Sequence, residues 1–182
     1  SSKDVLGAAG ELGNAATGRA GERVTVNAAT GNLVIQDRDE YLVGLGSDVA
    51  LLRTYNSQGG WDGDNGDGWR LSYYRRVTNL TGAVNTAGST VRRTEADGRE
   101  ATYAYNGGRY VCTDGAGQYD ALSYDAASDT WTWTDGDDGS KEAYQLSGAG
   151  NYRLTRVTDA TGNYVKVDYM GAQISALSTC RV

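Results

Sequence analysis

The sequence contains no histidine, no proline and no phenylalanine, and its two cysteines, Cys112 and Cys180, are far apart. The absence of histidine removes the commonest general base and excludes every catalytic triad that depends on it. Neither cysteine has such a partner to activate it, and their separation fits no metal-binding spacing. A pair of carboxylates, as in glycoside hydrolysis, stays formally possible, but the sequence places no such pair on facing strands. We therefore predict a protein that is not an enzyme. Two unrelated thiols are the favoured interpretation, and a disulfide between them stays open.

The chain also lacks a basic run and a long apolar run. Its formal net charge is -6 and its pI is about 4.6. Such a surface repels the phosphates of nucleic acids and anionic lipid headgroups. No apolar window reaches the roughly 18 residues of a membrane span, and residues 1–18 lack the basic and apolar regions of a signal peptide. Neither nucleic acid nor a membrane span is predicted, and any export signal is expected outside this sequence.

Glycine and tyrosine are abundant, with 26 and 13 residues. Residues 1–21 are rich in Ala, Gly and Ser and predict an extended or flexible lead-in. From Glu22 onward, apolar and polar residues alternate with a period of two, which is typical of strands. We predict a single all-β domain over residues 22–182. It would be an antiparallel β-meander or β-spiral of about 12 to 14 short strands.

Turn signals separate these predicted strands. Asp-Gly and Asn-Gly pairs recur, for example at 97–98, 106–107 and 135–136, and they supply the positive φ of tight hairpins. Residues 69–77 read as one strand, with Trp69 and Tyr73 on the core face and Arg70 and Tyr74 on the solvent face. The segments RVTVNAATGNLV at 23–34 and TRVTDATGNYV at 155–165 form a faint repeat, which suggests a stacked array of hairpins.

Several short motifs occur together in an order that resembles a known family. The run GNLVIQDRDEYLVGLGSDVALLRTYNSQ, followed by GDGWRLSYYRRV, resembles the opening segment of Rhs/YD-repeat proteins. The later run YRLTRVTDATGNYVKVDY resembles one full repeat of that family, although its Tyr-Asp pair is Tyr169-Met170 here. The matching residues are Arg53, Tyr55, Ser57, Gly66, Gly68 and Trp69 in the first motifs, and Leu154, Val157, Asp159, Gly162, Asn163 and Tyr169 in the repeat.

This resemblance implies a function as well as a fold. Proteins of this family are large secreted or surface polypeptides, in bacteria often polymorphic toxins, and the teneurins are similar in their repeats. Their sheets form a long ribbon that spirals into a hollow shell. We therefore expect a scaffold or encapsulating-shell segment of a secreted or surface bacterial protein. Its unpaired sheet edges would meet further repeats of the same polypeptide, a partner chain or a second copy.

The most acidic stretch, WDGDNGDGW at 61–69, has two interpretations. Asp62, Asp64 and Asp67 could gather a calcium ion, because calcium accepts irregular cages of oxygen ligands. The stretch does not follow the EF-hand pattern, since the twelfth position counted from Asp62 is Tyr73 instead of glutamate. The other interpretation is a solvated turn between two strands. No cofactor other than this calcium ion is predicted.

An aromatic strand gives a second candidate site. Trp131 and Trp133 lie on one face of TWTWT at 130–134, where exposed indoles would stack on sugars. Burial of both indoles in the sheet core is the alternative, and it is favoured because large aromatic side chains contribute most when they leave water. An extracellular module that binds carbohydrate or another surface, stabilised by calcium, is thus the rival to the scaffold.

Overall fold

The regular structure of this protein is built from β-strands. The computed structural model describes residues 13–17, 22–27, 29–44, 48–58, 68–113 and 119–181. Within these ranges the chain forms fifteen strands and no helix, and each of their pairings is antiparallel. The predicted all-β antiparallel class is confirmed, with one strand more than the upper limit of the prediction. None of the described segments is a helix long and apolar enough to cross a membrane.

Five strands form the first sheet, in the order of the sequence. They are β1 (Gly13–Thr17), β2 (Arg23–Asn27), β3 (Leu33–Leu42), β4 (Val49–Asn56) and β5 (Trp69–Leu71). β1 lies in the segment predicted as an extended or flexible lead-in, and it is extended and paired with β2 along its whole length. Alanine, glycine and threonine give this strand no apolar alternation, which is why the sequence does not predict it.

Ten strands form the second sheet. They are β6 (Arg76–Thr81), β7 (Thr90–Thr94), β8 (Glu100–Asn106), β9 (Arg109–Cys112), β10 (Ala121–Asp125), β11 (Thr130–Thr134), β12 (Lys141–Gly148), β13 (Asn151–Thr158), β14 (Tyr164–Met170) and β15 (Gln173–Cys180). From β6 to β12 each strand pairs with the next, and β13 pairs with both β12 and β6. The eight strands β6 to β13 therefore close into a barrel, which the predicted meander alone does not specify.

Strand β13 closes the barrel and also leads out of it. Tyr152 and Arg153 pair with Val77 and Arg76 of β6. Farther along, residues 156–158 pair with β14. We call the β6–β13 pairing the seam. Because β13 changes its neighbour at this point, the hairpin of β14 and β15 continues the sheet outside the closed ring.

The faint sequence repeat corresponds to two hairpins of similar construction. In the first, the Asn27 side chain accepts hydrogen bonds from the N–H groups of Ala29 and Thr30. In the second, the Asp159 side chain accepts from the N–H groups of Thr161 and Asn163. Each turn contains a glycine at positive φ, Gly31 at 70° and Gly162 at 95°. The shared letters of the repeat thus encode a side-chain-capped turn between two strands.

The barrel interior is a continuous core. Inward positions alternate along each strand, as the period of two predicts. Val49 and Tyr73 belong to the same core cluster, so the first sheet packs against the barrel. The buried apolar residues of the barrel strands are Val77, Val91, Ala101, Tyr103, Tyr110, Leu122, Trp131, Trp133, Tyr144 and Leu154.

The prediction of one strand over residues 69–77 is wrong. The chain turns after β5, where the N–H of Tyr74 donates to the carbonyl of Leu71 at 2.9 Å, and β6 begins at Arg76. Arg70, predicted to face solvent, is 2% exposed. It is buried because the crossing from the first sheet to the second places its guanidinium against the β7–β8 turn at Gly98.

This contact predicts a large effect for Gly98→Ala. Gly98 has a φ of 80°, and a Cβ at this position would overlap the Arg70 guanidinium. Both the left-handed backbone and the overlap oppose the new methyl group. We expect the free energy of unfolding, measured by urea denaturation, to fall by about 3 kcal/mol.

Gly139→Ala is the matched control for this substitution. Gly139 has a nearly equal φ of 76°, but a Cβ there meets nothing within 4 Å. Its cost should be about 1 to 2 kcal/mol, which isolates the backbone contribution. Equal losses for the two variants would show that the overlap with the Arg70 guanidinium adds nothing to the cost of the methyl group.

Candidate functional site

A buried ionic cluster lies inside one part of the barrel. Glu142 of β12 is 3% exposed and Arg93 of β7 is 4% exposed. The Nη2 atom of Arg93 donates to Oε2 of Glu142 at 2.8 Å, and its Nε donates to the Tyr144 hydroxyl at 2.9 Å. Arg75 and Tyr144 also donate to the Glu142 carboxylate. One carboxylate is thus shared by two guanidiniums and a hydroxyl.

The cluster sets the ionisation of Glu142. Burial by itself would raise the pKa of this carboxyl, because a charge is costly in a low-dielectric interior. The charges of Arg75 and Arg93 and the hydrogen bond from Tyr144 outweigh burial and lower the pKa to about 2. Glu142 is therefore ionised at neutral pH and serves as the counter-ion of both arginines.

Aromatic rings hold the same cluster in place. The Arg93 guanidinium carbon lies 3.8 Å from the ring centroid of Trp133, a cation–π distance. Nε1 of Trp133 donates to the Tyr103 hydroxyl at 3.0 Å. Burial raises the pKa of Tyr103, so that its hydroxyl stays neutral. Ion pairs and hydrogen-bonded aromatic side chains therefore fill this part of the barrel.

A second group of polar contacts lies around the turn between β10 and β11. Asp129 follows β10 with a φ of 49°, and its Oδ1 accepts from the hydroxyls of Tyr124 at 2.6 Å and Tyr152 at 2.8 Å. These two hydrogen bonds lower the pKa of Asp129. The hydroxyl of Tyr110 accepts from the N–H of Asn85 at 2.8 Å. The loops at this end are thus tied to the aromatic core beneath them.

The structure places the two candidate carbohydrate residues in the core. Trp131 is 1% exposed and Trp133 is 7% exposed. Trp131 is surrounded by rings, with the centroids of Tyr110 and Tyr124 each 5.0 Å from its own. Both indoles are already covered by protein atoms, so neither offers a face to a sugar. The burial is the alternative that the sequence favoured.

The candidate calcium residues Asp62, Asp64 and Asp67 lie outside the described residues, and the calcium site stays a prediction. The second acidic stretch, 135–139, is described and is a hairpin turn. Oδ1 of Asp135 accepts from the N–H groups of Asp137 and Asp138, and Oδ1 of Asp138 accepts from that of Ser140. In the part of the chain that is described, no three acidic or thiol side chains gather as metal ligands. Cys112 and Cys180 are both free thiols.

Among the described strands, β15 is the edge strand of the second sheet. It is eight residues long and, within the described ranges, β14 is its one neighbouring strand. The N–H of Ile174 donates to the Tyr74 hydroxyl at 3.1 Å, and the side chains of Ile174 and Leu177 pack against the core. These contacts anchor β15 to the rest of the sheet, and no described strand pairs with its other side.

A pocket of about 330 Å³ lies on the outer side of the seam. It is formed where β6, the β12–β13 turn and the β14–β15 turn meet. None of the residues that line it is acidic. The arginines and tyrosines of its wall are Tyr74, Arg75, Arg76, Tyr152, Arg153 and Tyr169.

Sequence reasoning does not identify the ionic cluster or the pocket. The alternation in EAYQL at 142–146 places Glu142 and Tyr144 on one face, and that in VRRTE at 91–95 does the same for Val91 and Arg93. A charged residue on an apolar strand face was the signal that could have indicated a buried ion pair. The alternation does not show, however, which strands face each other across the closed barrel.

One comparison with known families gives a match. Residues 24–103 match a family described as a domain of unknown function, DUF6531. The matched segment begins in β2, ends in β8 and covers somewhat less than half of the chain. It thus contains most of the first sheet and only part of the barrel. No curated protein matches the chain.

Proposed function

We propose that this chain is a non-catalytic scaffold or shell segment of a secreted or surface bacterial protein of the Rhs/YD-repeat type. Its role is to extend a β-sheet wall through the free edge of β15, to which further repeats or another chain would add. The observation that carries this proposal is the change of partner along β13. The barrel closes there, and the sheet nevertheless continues outward as β14 and β15.

Two other observations support the proposal. The DUF6531 match covers residues 24–103, and this domain is often found in Rhs/YD-repeat proteins. The buried charged groups of the described barrel strands, Arg93 and Glu142, form an ion pair with each other inside the core, and Arg75 also donates to Glu142. Removal of one member of a buried ion pair is strongly destabilising, which fits a structural role for these two charges.

An exposed and extended edge strand predicts concentration-dependent association. The unpaired N–H and C=O groups of β15 can pair with a strand from another molecule. At high concentration the protein should form larger species in analytical ultracentrifugation, and the amide groups of residues 175–180 should exchange more slowly with deuterium. A single monomeric species with unchanged exchange in β15 would contradict the proposed role of this edge.

Lysines on the edge strand should block this association. Ala176 and Ser178 are exposed on β15, and charged residues on an edge strand oppose pairing with another strand. The double variant Ala176→Lys, Ser178→Lys should stay monomeric. The matched control Ser123→Lys, Gln145→Lys adds the same charge at exposed positions of β10 and β12, which are internal strands, and should associate like the unchanged protein.

A further inference from the structure

Two arginines occupy directly opposite backbone positions on the outer face of the seam. Arg153 of β13 is directly opposite Arg76 of β6, next to the pair of Tyr152 and Val77. Val77 is 1% exposed and points inward, so the neighbouring pair points outward. Side chains directly opposite each other in an antiparallel pair interact, and like charges at such positions are destabilising. The closure of the barrel therefore brings two arginines to neighbouring positions on its outer side.

Among the described residues, two positive charges and one negative charge act on Arg76. Arg92 lies on the same face of β7, and its Nη1 atom forms an ion pair with Glu100 at 2.9 Å. Burial lowers the pKa of Arg76; the charge of Glu100 opposes this effect, and those of Arg70 and Arg92 add to it. In a protein of net charge -6, this is a local concentration of positive charge.

Arg153 is fixed in position but makes no ion pair with a described carboxylate. Its guanidinium carbon lies 4.0 Å from the ring centroid of Tyr169, and its Nη1 donates to the carbonyl of Gly171 at 2.7 Å. The Tyr169 ring is itself fixed, because its hydroxyl donates to the Leu154 carbonyl at 2.8 Å. A guanidinium has five N–H donors, so most of those of Arg153 remain available to a ligand.

The pocket beside these arginines has the size of a small ligand. Its volume of about 330 Å³ is at the lower end of the range for small-molecule sites, and suits one sugar ring or one amino-acid side chain. Tyr74 and Tyr169 also line it, and the Tyr169 ring stacks against Arg153. A planar carboxylate matches guanidinium groups better than a neutral group does, because it can accept two parallel N–H bonds.

We propose that this pocket binds the carboxylate of a small ligand between Arg153 and Arg76, and that binding strengthens the closure of the barrel at the seam. The ligand is of the acidic-sugar or the acidic-amino-acid class, since both present the same group. This proposal does not depend on the scaffold function.

Binding of simple acids tests the proposal and distinguishes an acidic sugar from an acidic amino acid as the ligand. Isothermal titration with D-glucuronate, with D-glucose as the neutral control, is compared with N-acetyl-aspartate amide and its asparagine counterpart. We expect saturable binding of at least one acid at one site per chain, a higher melting temperature with that acid, and no binding of either neutral control. The acid that binds more tightly identifies the source. Absence of binding by both acids at about 10 mM overturns the proposal.

Two arginine variants locate the site. Arg153→Gln should weaken binding of the acid by about tenfold or more. Arg156→Gln is the matched control, because Arg156 lies on the same strand and stacks on Tyr164 at 3.5 Å, yet does not line the pocket. Its affinity should be unchanged. Equal weakening in both variants, or none in Arg153→Gln, would overturn the assignment.

A third variant distinguishes a loss of binding from a loss of folding. Arg153→Lys keeps the positive charge but replaces the planar fork by a single ammonium group. We expect binding weaker than in the unchanged protein, with the circular dichroism spectrum unaltered. Retention of full affinity would show that a general positive field, instead of the geometry of Arg153, accounts for binding.

Discussion

Glu142→Gln is expected to lower the free energy of unfolding by about 3 to 5 kcal/mol at neutral pH, the cost of breaking a buried ion pair. The glutamine has nearly the same shape but no charge, so the guanidiniums of Arg75 and Arg93 lose their shared counter-ion. Both groups would then be charges in a water-poor interior. Urea denaturation at pH 7 measures the difference.

Glu100→Gln is the matched control for this prediction. Glu100 is also a barrel glutamate paired with an arginine, but its side chain is 29% exposed and that of its partner Arg92 is 43% exposed. Solvent screens such a pair, and its removal should cost less than about 1 kcal/mol. Similar losses for the two variants would mean that the Glu142 cluster is not the buried centre of the barrel.

The same cluster predicts how stability changes in acid. The pKa of Glu142 is about 2 in the folded protein, against an ordinary value of 4.5. A carboxyl with a lower pKa in the folded state stabilises the protein above its unfolded pKa, and this contribution is lost as pH falls from about 4.5 toward 2. The full contribution is about 3 kcal/mol. The gap between the unchanged protein and Glu142→Gln should therefore narrow over this range; a constant gap would contradict the lowered pKa.

Other acids of the protein do not obscure this comparison. Hydrogen bonds lower the pKa values of Asp125, Asp129 and Asp138, and burial raises those of Glu95 and Asp120. These groups are present in both proteins and contribute to both acid profiles. The difference between the profiles reports the one carboxyl that differs, together with any change that the substitution causes in its neighbours.

The antiparallel class and the hairpins follow from the sequence because they are encoded locally. Alternation defines the inward face, as for Val165 and Val167, and capped turns such as that at Asp159 define where strands reverse. Closure of the barrel is not local. It depends on Tyr152 and Arg153 meeting β6, more than seventy residues earlier in the chain. No sequence pattern in β6 or β13 predicts that pairing.

The candidate sites also differ in whether one strand or several strands form them. Burial of Trp131 and Trp133 could be anticipated, because two large aromatics on one strand face favour the core. The pocket could not, since Arg76, Arg153 and Tyr169 come from three strands that meet only when the seam forms. The burial of Arg70 was missed for a related reason: the chain turns between β5 and β6, and the alternation over 69–77 does not continue through the turn.

Trp131→Ala is expected to lower the free energy of unfolding by about 3 to 5 kcal/mol, because it removes a fully buried aromatic side chain and leaves a cavity. The ring also packs against Tyr110, Tyr124 and Tyr152, with centroids 5.0, 5.0 and 6.3 Å away. Each such aromatic pair adds a further stabilisation of about 0.5 to 1.5 kcal/mol. Thermal and urea denaturation measure the total loss.

The Trp131 prediction distinguishes the core from a carbohydrate face. If Trp131 belongs to the core, Trp131→Phe should recover a large part of the stability, since phenylalanine fills much of the cavity and keeps an aromatic ring. The fluorescence lost in Trp131→Ala should be a component that acrylamide quenches slowly, as expected for an indole that is 1% exposed. If Trp131 stacked on a sugar, its removal would instead leave the melting temperature unchanged and abolish binding to a glycan. A stable Trp131→Ala protein would therefore refute the filled barrel and restore the carbohydrate face as the better interpretation of TWTWT.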